Sequence, residues 1–428
     1  MEQGGQQQVQ VRFVTQQTKH VVPDTAILVP AELRRYGLSG IVNSMLGYEK
    51  PVPFDFLIEG EILRTSIAQY LLDHRLSTEN VLTIEYVESM LPPQSLAAFQ
   101  HDDWISSVKA RHGLYLTGSY DNMARLWNSS GECVATFIGH KDAVKSVAFG
   151  SKPEDEDILV FSGSLDHSIL AWKYNESGES PTILYECKGH KATVESIAVD
   201  AQYQYVASAS ADGTVKVWTT AEPMESEIPP IASQEAPSKK RKKVEEPERT
   251  IKAKALTLEG HVGAVNAVTF DATDSNVVYT GGWDHSIRSW DVENETNLVT
   301  KNCEKVVLDV DYSAHSRLIA TGHTDNVLRL WDPRSEDGTN VKLALRGHTG
   351  WISSVSWSPK SEYTLCSGSY DATVRVWDIR SKGPLYTVNA DDNDDSSSKK
   401  VLSVDWSGDQ IVCGGEDKKL QIFKTNAH

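Results

Sequence analysis

Histidine, aspartate, serine and threonine recur in this chain at spacings that could do chemistry. Gly139-His140, Gly189-His190, Gly260-His261 and Gly347-His348 each precede an aspartate, with serines and threonines close by. These are the residue types of a Ser-His-Asp hydrolase, in which an imidazole takes a proton from the attacking hydroxyl and a carboxylate orients the imidazole. A nucleophilic site occurs once, however, and needs an oxyanion hole beside it. Here the set repeats along the chain, and repetition points to a structural task.

The repeat is explicit in GSYDNMARLWN, GSLDHSILAWK, SASADGTVKVWT, GGWDHSIRSWD, GHTDNVLRLWD, GSYDATVRVWD and GGEDKKLQIFK. Each copy places an aspartate six residues before an aromatic: Asp121/Trp127, Asp166/Trp172, Asp212/Trp218, Asp284/Trp290, Asp325/Trp331, Asp371/Trp377 and Asp417/Phe423. Most gaps between successive aspartates lie near the spacing of a four-stranded blade, and the gap from Asp212 to Asp284 is that spacing plus an insertion. In the first copy Gln100-His101 stands in for Gly-His; the fifth and seventh lack the pair, so their blades should be looser. After each pair comes an alternating apolar stretch such as AVKSVAF or WISSVSW, the period-two pattern of a strand with one buried side. The aspartate then falls in a tight turn ahead of the next strand.

These copies resemble the WD-repeat family. The fold class implied is mainly β: a seven-bladed β-propeller over 91–428, in which His, Asp, Ser/Thr and the Trp indole form a hydrogen-bond network inside each blade. SLAAFQHDDW (95–104) is similar to the segments that precede the other repeats, and should supply the strand that closes the last blade.

Composition fits an intracellular binding protein. The net charge is −17, which argues against a broad nucleic-acid face. The five cysteines are scattered without a CxxC pair, which suits a reducing compartment. The start MEQGGQQQVQVRF has no basic segment leading into an apolar one, so no secretory signal is expected, and no apolar run is long enough to suggest a membrane span.

The insertion, 220–253, expected between the third and fourth blades, is rich in Pro, Glu, Ser and Lys. It cannot bury enough apolar surface to offset its ordering entropy, so a disordered loop is expected. Within it Lys239, Lys240, Arg241, Lys242 and Lys243 resemble a monopartite nuclear import signal. A second loop, ADDNDDSSSKK (390–400), lacks the Gly and downstream Glu of a calcium loop and reads as solvated.

Residues 1–90 have another rhythm. The run reads β-β-α-β-β-α-β, with Leu33, Leu38, Ile41, Val42 and Met45 as the apolar face of its first helix. That order matches a small α+β ubiquitin-like fold. The chain runs on without a terminal Gly-Gly, so the domain should dock rather than be conjugated.

Ubiquitin-like domain and interrupted propeller together resemble the WD-repeat ribosome-biogenesis factors of the Pescadillo complex. VRFVT, PFDFLIEGEILRTS, HDDWISSV, GHTGWISSVSWSP and VLSVDW carry the resemblance. It implies a nucleolar and nucleoplasmic factor of the large (60S) subunit and its rRNA processing. The factor has no cofactor of its own, acts on the pre-60S particle, and is held in a trimer with Pescadillo and the block-of-proliferation protein. The propeller would hold the propeller of the latter. The ubiquitin-like domain would dock on the AAA ATPase midasin, with Glu79 reaching the magnesium of its adhesion site; Glu59 and Glu61 compete on another turn. The resemblance leaves direct contact with rRNA open. A rival reading starts from WDPR (331–334) and WDIR (377–380), which resemble the motif of cullin-ligase substrate receptors, with Arg334 and Arg380 as contacts.

Overall fold

A computed structural model of the chain describes residues 7–77, 80–175, 180–223, 249–253, 255–335, 341–390 and 399–425. They fall into two units, one built on residues 1–92 and the other on 93–379 and 383–425.

In the first unit β1 (Gln8–Val14) turns Val9, Val11 and Phe13 inward and the residues between them outward, as a pleated strand with one buried face must. β2 (Ala26–Pro30), α1 (Arg35–Leu46), β3 (Phe54–Ile58), β4 (Glu61–Ile62), α2 (Ile67–Asp73) and β5 (Leu82–Glu88) follow, giving the element order read from the sequence. The sheet runs β2-β1-β5-β3-β4, with β1 parallel to β5. Leu38 and Val42 of α1 are buried with Phe13, Phe54, Phe56 and Tyr86, and Leu33, Ile41 and Met45 pack at the margin of the same core. Glu59 and Gly60 both have positive φ, 53° and 82°, which is the tight hairpin between β3 and β4. α1 starts after Leu33, which the sequence reading places on its apolar face, and the Leu33 amide instead closes a turn onto the Pro30 carbonyl. It ends at Gly47, whose φ of +68° is a left-handed cap open to glycine without strain. α2 starts where Ser66 accepts from the Gln69 amide at 3.3 Å.

The second unit is a seven-bladed propeller. Its innermost strands are Ile105–Arg111, Val144–Phe149, Val194–Val199, Val265–Phe270, Val307–Tyr312, Ile352–Trp357 and Val401–Ser407. Each packs against the next and the last packs against the first, so the ring closes. We number the blades 1 to 7 by these strands. Blade 7 takes its outer strand from Gln94–Gln100, which pairs antiparallel with Lys419–Lys424. Closure of this kind ties the two ends of the propeller together and leaves no open sheet edge at the ring joint.

The insertion departs from the expectation in two ways. It lies inside blade 3, between the strands Thr214–Thr219 and Leu256–Glu259, rather than between blades 3 and 4. The outer strand of a blade precedes the next Gly-His in sequence, so the repeat read from the sequence is offset from the blade. The ends of 220–253 are also structured. Ile251–Lys252 adds a fifth, parallel strand to blade 2 beside Thr182–Cys187. Lys252 is fully buried, and its ammonium donates to the Thr219 carbonyl at 3.0 Å and the Ala221 carbonyl at 2.8 Å. Its charge lies over the Tyr185 ring, 5.1 Å from the centroid. Composition hides this strand, because a buried lysine with carbonyl partners has no signature that separates it from a solvated one. The basic block Lys239–Lys243 and most of the acidic loop 390–400 lie outside the described residues.

Candidate functional site

The sequence-predicted aspartates occupy the turns between the second and third strands of their blades. In blades 2, 3, 4 and 6 each turn closes one hydrogen-bond chain. In blade 2 the Trp172 indole N–H donates to Ser162 Oγ at 2.8 Å, Ser162 meets His140 Nε2 at 2.8 Å, and His140 Nδ1 meets Asp166 Oδ2 at 3.0 Å. A neutral imidazole protonated on Nδ1 satisfies every member: the indole donates to the hydroxyl, the hydroxyl to Nε2, and Nδ1–H to the carboxylate. Trp218–Ser208–His190–Asp212, Trp290–Thr280–His261–Asp284 and Trp377–Ser367–His348–Asp371 repeat it, with links between 2.7 and 3.1 Å. The hydroxyls are wholly buried and already accept from an indole. They are therefore closed to a substrate, and the arrangement positions strands rather than activating a nucleophile.

The electrostatics follow the same geometry. Burial alone would raise the carboxyl of Asp371, but the His348 imidazole, the Thr373 hydroxyl and the Thr349 amide all donate to it and hold it well below the usual carboxylate range. Asp166 and Asp212 are held down in the same way. Burial pushes the His348 and His261 imidazoles down, against the pull of their carboxylates.

Three blades depart from the pattern. In blade 1 His101 keeps the hydroxyl of Thr117 at 2.9 Å, while Asp121 turns to Arg125 at 2.6 Å. Blade 5 lacks the Gly-His ahead of its innermost strand, yet His323, from its second strand, reaches Thr321 Oγ1 at 2.8 Å, and Asp325 takes Arg329 through both terminal guanidinium nitrogens at 3.0 and 2.8 Å. The imidazole is thus supplied from another strand, which the spacing of Gly-His pairs could not reveal. Burial pushes His101 and His323 down to about 4. In blade 7 Cys413 stands at the hydroxyl position and Phe423 at the indole position, both buried, and Asp417 accepts from the Gln421 amide at 2.8 Å. Removing donor and acceptor together costs little, because neither is left orphaned.

A second set of polar residues went unread in the sequence. They alternate along the innermost strands and join blade to blade. Asp309 and Asp311 of blade 5 accept the Val355 and Trp357 amides of blade 6 at 2.8 and 2.7 Å. Ser354 and Ser356 of blade 6 accept the Val404 and Trp406 amides of blade 7 at 3.2 and 3.1 Å. Ser403 and Asp405 of blade 7 accept the Val108 and Ala110 amides of blade 1 at 3.1 and 2.9 Å, across the seam of the ring. Lys109 pairs with Asp405 at 3.1 Å. These groups border a central channel holding a cavity of about 670 Å³. Burial raises Asp309 and pushes Asp311 up to about 6. Alternating Ser and Asp within the apolar strands was the available signal.

The remaining predicted residues are scattered. Glu79 lies outside the described residues, in the segment between α2 and β5. Glu59 is exposed on the β3–β4 turn, and Glu61 meets His74 at 3.4 Å. Arg334 is folded back on Asp332, with Nε and Nη2 each 2.8 Å from a carboxylate oxygen. Arg380 follows the blade 6 strand Thr373–Asp378. Among the described residues no group of three His, Cys, Asp or Glu is placed to hold a metal ion, and no helix is long and apolar enough to cross a membrane.

Comparison with known proteins adds two family matches. Residues 9–71 match the NLE (NUC135) domain, and 93–128, 131–173, 181–219, 253–291, 296–332 and 339–378 match the WD domain, G-beta repeat. The stretch unmatched after residue 378 includes most of blade 7, where Cys413 and Phe423 replace the network residues. A ribosome biogenesis protein WDR12 homolog of Nematostella vectensis is 36% identical over 97% of this chain and 99% of its own length. The chain belongs to the WDR12/Ytm1 family of ribosome biogenesis proteins. Relatives from Chlamydomonas reinhardtii (WDR12 homolog, 98% of each chain) and Schizosaccharomyces pombe (ytm1, 98% of this chain and 97% of its own) are each also 36% identical. WDR12/Ytm1 membership thus spans both units and not the repeats alone.

Proposed function

We propose that this chain is a non-enzymatic assembly factor for the large (60S) ribosomal subunit and its rRNA processing. The observation that carries the reading is the end-to-end likeness to relatives named ribosome biogenesis proteins, 35–37% identical through both units. A propeller with its polar sets closed on themselves offers surfaces, which is what a scaffold needs. In this reading the propeller binds the block-of-proliferation protein within a trimer that includes Pescadillo. The first unit docks on midasin through Glu79, whose carboxylate oxygen completes a magnesium shell. The protein works in the nucleolus and nucleoplasm, brought there by Lys239–Lys243. The ligase-receptor alternative is weaker, because the Arg334 guanidinium is already closed on Asp332.

Purification of the full chain from nuclear extract tests the reading. Large-subunit precursors and their assembly proteins should accompany it; a cullin adaptor in their place would overturn it. For Glu79, the full chain is mixed with the midasin adhesion domain, with magnesium and with chelator. Binding should be lost in Glu79→Ala and on chelation. Unchanged binding in that variant would move the role to Glu59 or Glu61.

A further inference from the structure

The end of the insertion does more than lengthen a sheet. Where Ile251–Lys252 lies beside Thr182–Cys187, the two segments help to line a cavity of about 520 Å³ on the flank of blade 2. The Glu186 and Lys188 amides donate to the Thr250 and Lys252 carbonyls at 2.9 and 3.0 Å, so this part of the lining is held by backbone. Lys141 and the turn Asp166-His167-Ser168 supply more of it. The cavity shares no lining residue with the central channel.

Its charges are arranged around one buried carboxylate. Glu186 is 6% exposed, with one oxygen 3.1 Å from Lys188 Nζ and the other 3.8 Å from Arg249 Nη1. Arg249 Nη2 also donates to the Gly139 carbonyl at 2.9 Å. A single carboxylate thus fixes two cationic heads and neutralises only one. Asp166 is saturated inside the blade, accepting from His140 Nδ1, the Lys141 amide and the Ser168 amide and hydroxyl at 2.6–3.0 Å. His190 is closed on Asp212 and Ser208, whereas His167 is exposed. Among the described residues the lining therefore holds one cation more than it holds carboxylates, in a chain of net charge −17.

The donors outnumber the acceptors that meet them. An ammonium has three N–H groups and a guanidinium five, and Glu186 and the Gly139 carbonyl use few of them. A phosphomonoester brings several acceptor oxygens and close to two negative charges, which suits fixed Lys and Arg heads. A nucleic-acid strand needs a continuing basic track and rings on which bases stack. No Phe, Tyr or Trp lines this cavity. Ile138, 67% exposed, adjoins the Gly139 that receives Arg249, and Ile251 is part of the lining. Apolar side chains at the margin add contact for the residues that flank a phosphorylated side chain and nothing for free phosphate.

We propose that this cavity binds a phosphomonoester carried on a serine or threonine of a partner protein, with Arg249, Lys188 and Lys141 donating to the phosphate. The site goes beyond the scaffold reading and does not depend on it.

The test uses the full chain and a short Gly-Ser peptide carrying one phosphoserine beside a leucine, titrated by calorimetry. Its unphosphorylated form, inorganic phosphate and an oligouridine are the comparisons. The phosphopeptide should bind about tenfold or more tightly than each of the three, and its affinity should fall with added salt. Lys188→Gln/Arg249→Gln should lose about tenfold or more in affinity. That variant leaves Glu186 without its cations, so Lys141→Gln is the second: the Lys141 side chain is exposed and its backbone amide, which holds Asp166, is kept. It should lose about threefold or more. Equal binding by the unphosphorylated peptide, undiminished binding by Lys141→Gln, no binding of the phosphopeptide, or tighter binding of inorganic phosphate or of the oligouridine would each overturn the proposal. The peptide comparisons are made on the unaltered chain, so they decide even where a variant does not fold. Failure here with large-subunit assembly proteins still co-purifying would remove this site and leave the scaffold function standing.

Discussion

Asp371→Ala is expected to cost the propeller about 3 kcal/mol, and the figure can be built from its partners. The carboxylate accepts from His348 Nδ1 at 2.9 Å, the Thr349 amide at 2.9 Å, the Thr373 amide at 3.1 Å and the Thr373 hydroxyl at 2.6 Å. Thr349 is exposed and Thr373 half-buried, so water replaces much of what they lose. His348 is 2% exposed and cannot be reached, so its orphaned N–H carries most of the cost, about 1–3 kcal/mol, with the lost charge-assisted bonds making up the rest. Asp417→Ala is the internal control. Asp417 accepts from the Gln421 amide at 2.8 Å and the Lys419 amide at 3.1 Å, the strands of blade 7 contain no histidine, and the expected cost is about 1 kcal/mol. Every tryptophan lies beyond residue 92, so tryptophan fluorescence during urea or thermal unfolding reports the propeller without interference from the first unit. At about 2 °C per kcal/mol for a unit of this size, Asp371→Ala should lower Tm by about 6 °C and Asp417→Ala by about 2 °C. Equal losses in the two variants would refute the network argument. So would an Asp371→Ala protein that melts normally yet fails to bind partners, which would point to chemistry at the site.

Lys252→Met should destabilise the propeller by about 1–3 kcal/mol, because the Thr219 and Ala221 carbonyls lose a buried donor; deleting 224–248 while keeping Lys252 should leave Tm unchanged, and a fall in both proteins would show that the insertion contributes throughout its length. His101 and His323, pushed down to about 4 by burial, are neutral in the fold, whereas the unfolded chain takes up protons below about 6.5. Their stabilisation is therefore complete above that pH and is lost as pH falls toward 4, by up to about 3 kcal/mol each; Asp311, pushed up to about 6, works in the opposite sense and offsets part of the loss. His323→Gln should flatten the fall of Tm with pH, and an unchanged slope would contradict this account. Replacing Lys239–Lys243 with alanine should lower nuclear accumulation of a fluorescent fusion with no change in Tm; undiminished accumulation would mean that the block is not the address or that a partner carries the chain in.

The sequence by itself determined the blades. Each is built from strands adjacent in the chain, and an aspartate in the turn with an aromatic six residues on places both at fixed points of one hairpin. Local geometry therefore makes the repeat visible, down to the outer strand that closes blade 7. The same holds for the first unit, where the alternation in β1 and the cap at Ser66 are nearest-neighbour effects. Tertiary structure decided what depends on residues far apart in the chain. His323, in the second strand of blade 5, takes the place of the imidazole that the other blades supply from ahead of their innermost strand. Lys252 joins blade 2 because the carbonyls of Thr219 and Ala221 end up beside Tyr185. Asp309, Asp311 and Asp405 become joints between blades because ring closure brings innermost strands together across the channel. Hydrophobic periodicity records which side of a strand is buried, but it does not record which other strand that side meets, and the inter-blade contacts are of that second kind.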